Sequence, residues 1–159
     1  MRRYLGAALV TAAIAATWVA VLPPAAVRQP IAFPHAKHQA VGCAVCHRGV
    51  ASSARAGIPD VSLCSKCHAT APAGTSGVWE AASARRTIGW VQVTHVPDHV
   101  MFSHRRHVTL ARLDCASCHG EMRDRRTPPG SAPVRLAMNT CLSCHRHEGA
   151  AEDCAACHR

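Results

Sequence analysis

The distribution of apolar residues separates a short N-terminal stretch from a longer, more polar remainder. Residues 4 to 22 form a run of nineteen residues without charge, which directly follows Met1-Arg2-Arg3. A helix of that length just spans a bilayer, and arginines ahead of it favour a cytoplasmic N-terminus. The end of the run, at residues 21–26, is a poor cleavage site. We therefore predict an uncleaved signal anchor over residues 1–22 in preference to a cleaved signal peptide; both would export the remainder.

Beyond the anchor, the pattern predicts only short elements. Residues 23–32 contain three prolines and form an extended linker. Residues 71–77 and 127–133 are rich in proline, glycine and small polar residues, which predicts loops. A short helix is expected from Trp79 to Arg86. The predicted fold is mostly irregular and small α, with short helices and little or no sheet.

All ten cysteines belong to one motif, C-x-x-C-H, which occurs five times. The copies are Cys43, Cys46 and His47; Cys64, Cys67 and His68; Cys115, Cys118 and His119; Cys141, Cys144 and His145; and Cys154, Cys157 and His158. This spacing is typical of c-type haem attachment, in which two thiols bond to the haem vinyl groups and the histidine ligates iron. Disulfides and zinc sites are the alternatives, but neither needs a histidine directly after the second cysteine. The sequence predicts five covalently bound haem c groups, each with the motif histidine as proximal ligand.

The haem count changes how the composition and the charge are interpreted. With about 27 residues for each haem, much of the interior must be porphyrin, so the iron and thioether bonds should supply much of the stability. The net charge of +9 comes mainly from sixteen arginines, but no nucleic-acid-binding motif accompanies them. Five haems would add about ten propionate charges, which arginine can pair in bidentate fashion. Nucleic acid is therefore not an expected partner.

The chain also contains an internal repeat. The element F-x-H-x-x-H at residues 33–38 returns at residues 102–107 with an offset of 69. The attachment site after each copy is offset by 72, and the next attachment site by 77. This predicts dihaem module one at 33–78, a connector at 79–101, dihaem module two at 102–147 and a fifth haem site at 148–159.

The repeated element supplies the best candidates for distal iron ligands. Histidines three residues apart on a helical turn lie on nearly the same face but point in different directions, so one can serve the next haem and the other a neighbouring haem. The four candidates are His35, His38, His104 and His107. For the fifth iron the candidates are His95, His99, His147, a methionine such as Met122 or Met138, or an open position, and we rank His95 first. We expect His99 to be solvated or bonded to a propionate.

These motifs carry a family resemblance. F-x-H-x-x-H ahead of closely spaced C-x-x-C-H sites resembles the class III multihaem cytochromes c. Residues 90–107, with Val96-Pro97-Asp98-His99-Val100-Met101-Phe102, and the following sites at Cys115 and Cys141 are similar to the membrane-anchored multihaem subunit of alternative complex III and related quinone reductase complexes. The resemblance spans essentially the whole chain. It implies iron-sulfur and quinone-binding partner subunits, and a location in the bacterial inner membrane with the haem domain facing the periplasm.

The function these features predict is electron transfer rather than catalysis by the chain itself. Iron with two histidine ligands exchanges electrons with little rearrangement and has no position for a substrate. A soluble cytochrome c or a terminal oxidase is a further candidate redox partner. Two alternatives remain: a membrane-anchored quinol dehydrogenase that acts alone, and a multihaem oxyanion reductase, which would need an open iron.

Overall fold

The computed structural model describes residues 26–159 apart from residue 86, and residues 4, 6–8, 11, 12 and 14 of the N-terminal stretch. Those few N-terminal residues are helical. The anchor predicted at 1–22 otherwise lies outside the described residues, as does Arg86, the expected end of a helix. In the part that is described, none of the helices has the length and apolar character needed to cross a membrane.

Short helices and irregular segments make up the described chain. The α-helices are α1 (Cys43–Cys46), α2 (Val61–Cys64), α3 (Ser76–Arg85), α4 (Ala116–His119), α5 (Met138–Glu148) and α6 (Cys154–Cys157). Two 3₁₀ turns (His35–His38 and Arg48–Ala51) and one π-helical segment (Arg105–Leu110) complete the set. The described residues contain no strand, only an isolated bridge between Val100 and His158. Short helices without a sheet are therefore confirmed, and the helix expected from Trp79 begins three residues earlier.

Aspartate side chains cap two of the helical turns that carry attachment sites. The Asp60 carboxylate accepts a hydrogen bond from the Ser62 amide at 2.9 Å, and Asp153 accepts one from the Ala156 amide at 2.9 Å. Such N-caps satisfy amides that have no partner inside the helix. The hydrogen bonds from Ser62 hold the pKa of Asp60 below its usual value. Each cap fixes a turn on which a cysteine stands.

Only a small apolar core supports these turns. Its buried residues are Val61, Ala82 and Ile88, with Ile31, Trp79 and Trp90 packed against them. The Trp90 indole N–H donates to the Pro59 carbonyl at 2.9 Å, which ties the core to the start of α2. Among the described residues, Val50 is the one further buried hydrophobic side chain, so side-chain packing alone fixes little of this structure.

The two modules contact each other reciprocally. The Ala36 amide donates to the Arg125 carbonyl at 2.9 Å, and the Arg105 amide donates to the Ser53 carbonyl at 3.1 Å. Under the repeat offsets of 69 and 72, Ala36 is equivalent to Arg105, and Ser53 to Arg125. The same hydrogen bond is thus made twice, in opposite directions. This is the pattern of an isologous interface, so a local pseudo-twofold relation joins the two histidine elements and the segments they meet.

Further contacts strengthen each half of this interface. On one side, the Gln39 side-chain amide donates to the Asp124 carboxylate at 2.8 Å, and the Arg123 guanidinium donates to the main-chain carbonyl of Gln39 at 3.1 Å. On the other side, the Thr109 hydroxyl donates to the Ala51 carbonyl at 2.9 Å. Each histidine element therefore rests on the segment that follows the first attachment site of the other module.

Gly49 lies where the chain folds back on itself after the first attachment site, and this generates a prediction. Its amide donates to the Ala56 carbonyl at 2.8 Å, and a Cβ there would collide with the Arg55 carbonyl oxygen and lie 3.1 Å from that of Ala56. We expect Gly49→Ala to lower the free energy of unfolding by about 1–3 kcal/mol, because backbone must move. Denaturant unfolding followed by circular dichroism measures the change.

Gly42→Ala is the matched control, because a Cβ at Gly42 meets no atom within 4 Å. Its unfolding free energy should stay within about 0.5 kcal/mol of the original protein. Equal destabilisation by the two substitutions would contradict the close approach at Gly49.

Candidate haem-binding site

Each F-x-H-x-x-H element forms the same cluster of three rings. The Phe33 ring lies edge-on to His35, with centroids 5.0 Å apart at 88°, and stacks on His38 at 4.5 Å and 23°. Phe102 meets His104 at 4.9 Å and 89°, and His107 at 4.6 Å and 22°. The backbones differ, since the first element is a 3₁₀ turn and the second leads into a π-helical segment. Phenylalanine packing therefore fixes the histidine rings in one arrangement on two different turns.

Histidines of these elements face histidines of the attachment sites. The ring centroids are 6.1 Å apart for His38 and His68, 6.2 Å for His104 and His119, and 6.2 Å for His107 and His145. Two imidazoles bound to one metal ion through nitrogen bonds of about 2 Å have ring centres roughly 6 Å apart. The spacing of all three pairs fits an iron atom between the rings. The two histidines of the second element thus face different attachment sites.

His35 occupies the remaining position of the first element. Burial lowers its pKa, and the charges of His47, His38 and Arg125 lower it further, in that order. His35 therefore lies near His47, just as its repeat equivalent His104 lies near His119. Burial and then His104 also lower the pKa of His119. The four histidines of the two elements correspond in order to the first four attachment sites.

Backbone carbonyls orient many of these rings through the Nδ1 atom. A carbonyl only accepts, so each such contact places the proton on Nδ1 and leaves the Nε2 lone pair for a metal. The Nδ1 contacts are His38 to Pro34 at 3.1 Å, His107 to Ser103 at 2.9 Å, His104 to Ala54 at 2.9 Å, His47 to Gly57 at 2.8 Å and His145 to Ala151 at 2.6 Å. This is the usual outer contact of a metal-binding histidine.

The first two of these contacts are repeat equivalents, but the contact of His104 crosses between modules. Ala54 belongs to module one, whereas His104 belongs to module two. The equivalent histidine, His35, has a buried Nδ1 with no hydrogen-bond partner among the described residues. The motif histidines depart from the repeat as well, since His47 and His145 have carbonyl partners and their equivalents His119 and His68 have none among the described residues.

The cysteine pairs stand beside these histidines as free thiols. All ten are unpaired, so no disulfide forms among them. Three or more side chains that could jointly hold a metal ion do not converge anywhere in the described structure. Burial raises the pKa of Cys46, Cys64, Cys115 and Cys118.

Attachment sites one and three meet at the module interface. Cys43 raises the pKa of Cys115 both as a neighbouring charge and as a hydrogen-bond partner, after the larger effect of burial. His47 likewise lowers the pKa of His119. Within module two, Cys144 and Cys141 raise the pKa of Cys118, and in module one Cys67 raises that of Cys46. Attachment site one therefore neighbours sites two and three, and site three also neighbours site four.

The other predicted ligands are placed differently. His95 is exposed, and its ring has no partner in the described part of the chain. His147 is exposed and its Nδ1 lies 2.9 Å from the Glu148 carboxylate. Met138 is 63% exposed. The histidine that does meet the fifth site is His99, whose ring stacks on His158 with centroids 5.5 Å apart at 20°.

The sequence analysis ranked His99 below His95 and expected it to be solvated or bonded to a propionate, but a signal that favours His99 was present. Module one has Pro30 at the equivalent position, at the offset of 69. His99 is therefore an extra histidine in the half of the chain that also has the extra attachment site.

Arginine side chains have few acidic partners in the protein. Among the described side chains, one arginine forms an ion pair with a carboxylate: Arg146 lies 2.7 Å from Glu152. Pairing of the other arginines with haem propionates stays a prediction.

Comparison with known families agrees with the chemistry of the site. Residues 12–88 match the class III cytochrome c family, and residues 100–159 match cytochrome c7 and related cytochromes c. No curated protein matches the chain significantly. The two matches leave out residues 1–11 and 89–99. Neither of these gaps contains an attachment motif or an F-x-H-x-x-H element. Together with paired thiols and facing imidazoles, they support a multihaem cytochrome c family, with covalent haem c and a role in electron transfer, for this chain.

Proposed function

We propose that the chain binds five haem c groups and acts as the electron-transfer subunit of a membrane-bound quinone oxidoreductase complex. The observation that carries the electron-transfer role is the set of facing imidazoles, three pairs of which are 6.1–6.2 Å apart. When bound, haem supplies a reversible one-electron couple at its iron. The chain supplies an imidazole on both sides of that position, which leaves no place for a small-molecule substrate.

The residues that would hold the haems follow from the site. The thiols of each C-x-x-C pair would form the thioether bonds, and the histidine after each pair would hold the iron from one side. His35, His38, His104 and His107 would hold the irons of sites one, two, three and four from the other. Their Nδ1 contacts with backbone carbonyls, where present, orient the ring and make Nε2 a stronger donor.

The arrangement of the sites supports a relay. Sites one and three adjoin where Cys43 meets Cys115, site two adjoins site one, and site four adjoins site three. The chain thereby places its first four sites in one continuous series that crosses the module interface. A continuous series of this kind suits the transfer of electrons between separate partners better than a single catalytic centre does.

The membrane and complex assignments rest on the resemblance of residues 90–107 and on the apolar run before residue 23. We infer an N-terminal anchor, a haem domain in the periplasm, and iron-sulfur and quinone-binding partner subunits. Solubilising membranes in mild detergent and identifying the proteins that copurify with the chain by mass spectrometry tests this inference. Copurification of such subunits supports it. Isolation of the chain alone, with haems that a quinol still reduces, would instead favour a self-sufficient quinol dehydrogenase.

The haem stoichiometry is the first testable prediction of this function. The pyridine haemochrome assay and the intact mass should give five haems for each chain. Replacing both cysteines of the third site, Cys115→Ala with Cys118→Ala, should lower the count to four, because both thioether bonds of that site are lost. Ser117→Ala, between the same cysteines, should leave it at five. A count unchanged by the double substitution would exclude attachment at that site.

The distal ligands give a second prediction. His104→Ala and His107→Ala should each turn one haem high-spin, since each removes one axial nitrogen. Because His104 faces His119 and His107 faces His145, the spectral component lost should differ between the two variants. Electron paramagnetic resonance of the oxidised protein measures both. His147→Ala, at an exposed histidine beside Glu148, is the control and should retain the original low-spin spectrum.

Loss of the same low-spin component in both variants would contradict the assignment of the two histidines to different irons. A high-spin signal in the unsubstituted protein, with rapid cyanide binding, would point to an open iron and to the reductase alternative.

A further inference from the structure

The C-terminal attachment site is docked on the segment just before the second histidine element. The Met101 amide donates to the Cys157 carbonyl at 2.8 Å, and the Arg159 amide donates to the His99 carbonyl at 3.2 Å. These two bonds flank the antiparallel bridge between Val100 and His158. The Arg159 guanidinium adds a bond to the Asp98 carbonyl at 3.1 Å. The segment 98–101 is thus held against the fifth site by main-chain bonds.

This docking brings two imidazoles together. The His99 and His158 rings are 5.5 Å apart and nearly parallel, at 20°. Neither ring makes a hydrogen bond within the described chain, so the nitrogen atoms of both rings are available to a metal. The separation is about 0.6 Å shorter than that of His38 and His68. Because His99 is exposed, its side chain has room to move outwards by that amount.

We propose that His99 is the distal iron ligand of the fifth haem, opposite His158. The proposal rests on the proposed function, because it needs a haem at Cys154 and Cys157. It replaces His95 in that role, since the ring of His95 has no partner in the described structure. It also explains why module one has Pro30 at the position of His99: module one has no third attachment site to serve.

The main-chain bonds give the fifth site a defined place in the series. Residues 98–101 run directly into Phe102 and His104, which belong to the third site. His145 of the fourth site bonds through Nδ1 to the Ala151 carbonyl, three residues before Cys154. The fifth site is therefore tethered on one side to the distal histidine of site three and on the other to the proximal histidine of site four.

Spin-state analysis of His99 variants of the holoprotein tests the proposal. In His99→Ala, one of five haems should become high-spin, and added imidazole should restore its low-spin spectrum. The matched control His95→Ala should leave all five haems low-spin. His99→Met should keep the fifth haem low-spin but add a methionine-to-iron charge-transfer band and raise its potential, because methionine ligation raises the potential of a haem.

The outcomes separate the proposal from the function on which it rests. If His99→Ala keeps every haem low-spin, or if His95→Ala instead yields the high-spin haem, the proposal is overturned while the five-haem relay stands. If peptide mass spectrometry finds no haem on Cys154 and Cys157 in the unsubstituted protein, both the five-haem assignment and the proposal fail. If His99→Ala accumulates poorly, the His99→Met spectrum decides alone: the absence of a methionine band would overturn the proposal.

Discussion

The structure depends on imidazole rings held in facing pairs by contacts with the backbone. The apolar core comprises few residues, so hydrophobic burial cannot by itself fix the positions of five attachment sites. Instead, a phenylalanine packs against both histidines of each element, and carbonyl oxygens accept from Nδ1 of several rings. In each ring held in this way, the Nε2 atom lies on the side away from the carbonyl that Nδ1 contacts. A chain with little core can thereby pre-form metal sites, whose occupation would supply stability that packing does not.

The two modules complete one another. Equivalent main-chain bonds from Ala36 and Arg105 run in opposite directions across the interface, and His104 takes its orienting carbonyl from Ala54 of the other module. A duplicated sequence would satisfy such an interface twice, because each copy carries both the donor and the acceptor. The first and third attachment sites come together at this interface. Contact between the modules and continuity of the proposed relay therefore depend on the same interface.

The sequence predicted most of this chemistry and little of its geometry. The five C-x-x-C-H motifs and the repeat of F-x-H-x-x-H sufficed to indicate covalent haem, short helices and the absence of a sheet, because these follow from local spacing. The reciprocal interface was not predicted, since bonds such as that between Arg105 and Ser53 join residues far apart in sequence. The π-helical segment after His104 was missed for a similar reason: the Thr109 hydroxyl bonds to Ala51 of the other module.

His99 shows what residue-by-residue ranking leaves out. His95 and His99 are four residues apart in one segment, and composition gives no reason to prefer either. The difference arises from the C-terminal residues, whose main chain pairs with residues 99–101 and so selects the histidine that meets His158. The comparison between modules held the missing information, because Pro30 replaces His99 in the half without an extra site.

The departures from the repeat carry as much functional weight as the repeat itself. Two modules with identical ligands and identical outer contacts would give equivalent sites with similar electronic properties. His38 and His107 follow that rule, as each bonds through Nδ1 to the carbonyl four residues before it. His35 and His104 do not, because only His104 has a carbonyl partner and the buried Nδ1 of His35 has none in the described structure. Hydrogen bonding at Nδ1 sets ligand basicity, and ligand basicity tunes the iron. The two adjoining sites at the centre therefore differ in which histidine a carbonyl holds among the described residues: His47, through Gly57, in site one, and His104, through Ala54, in site three.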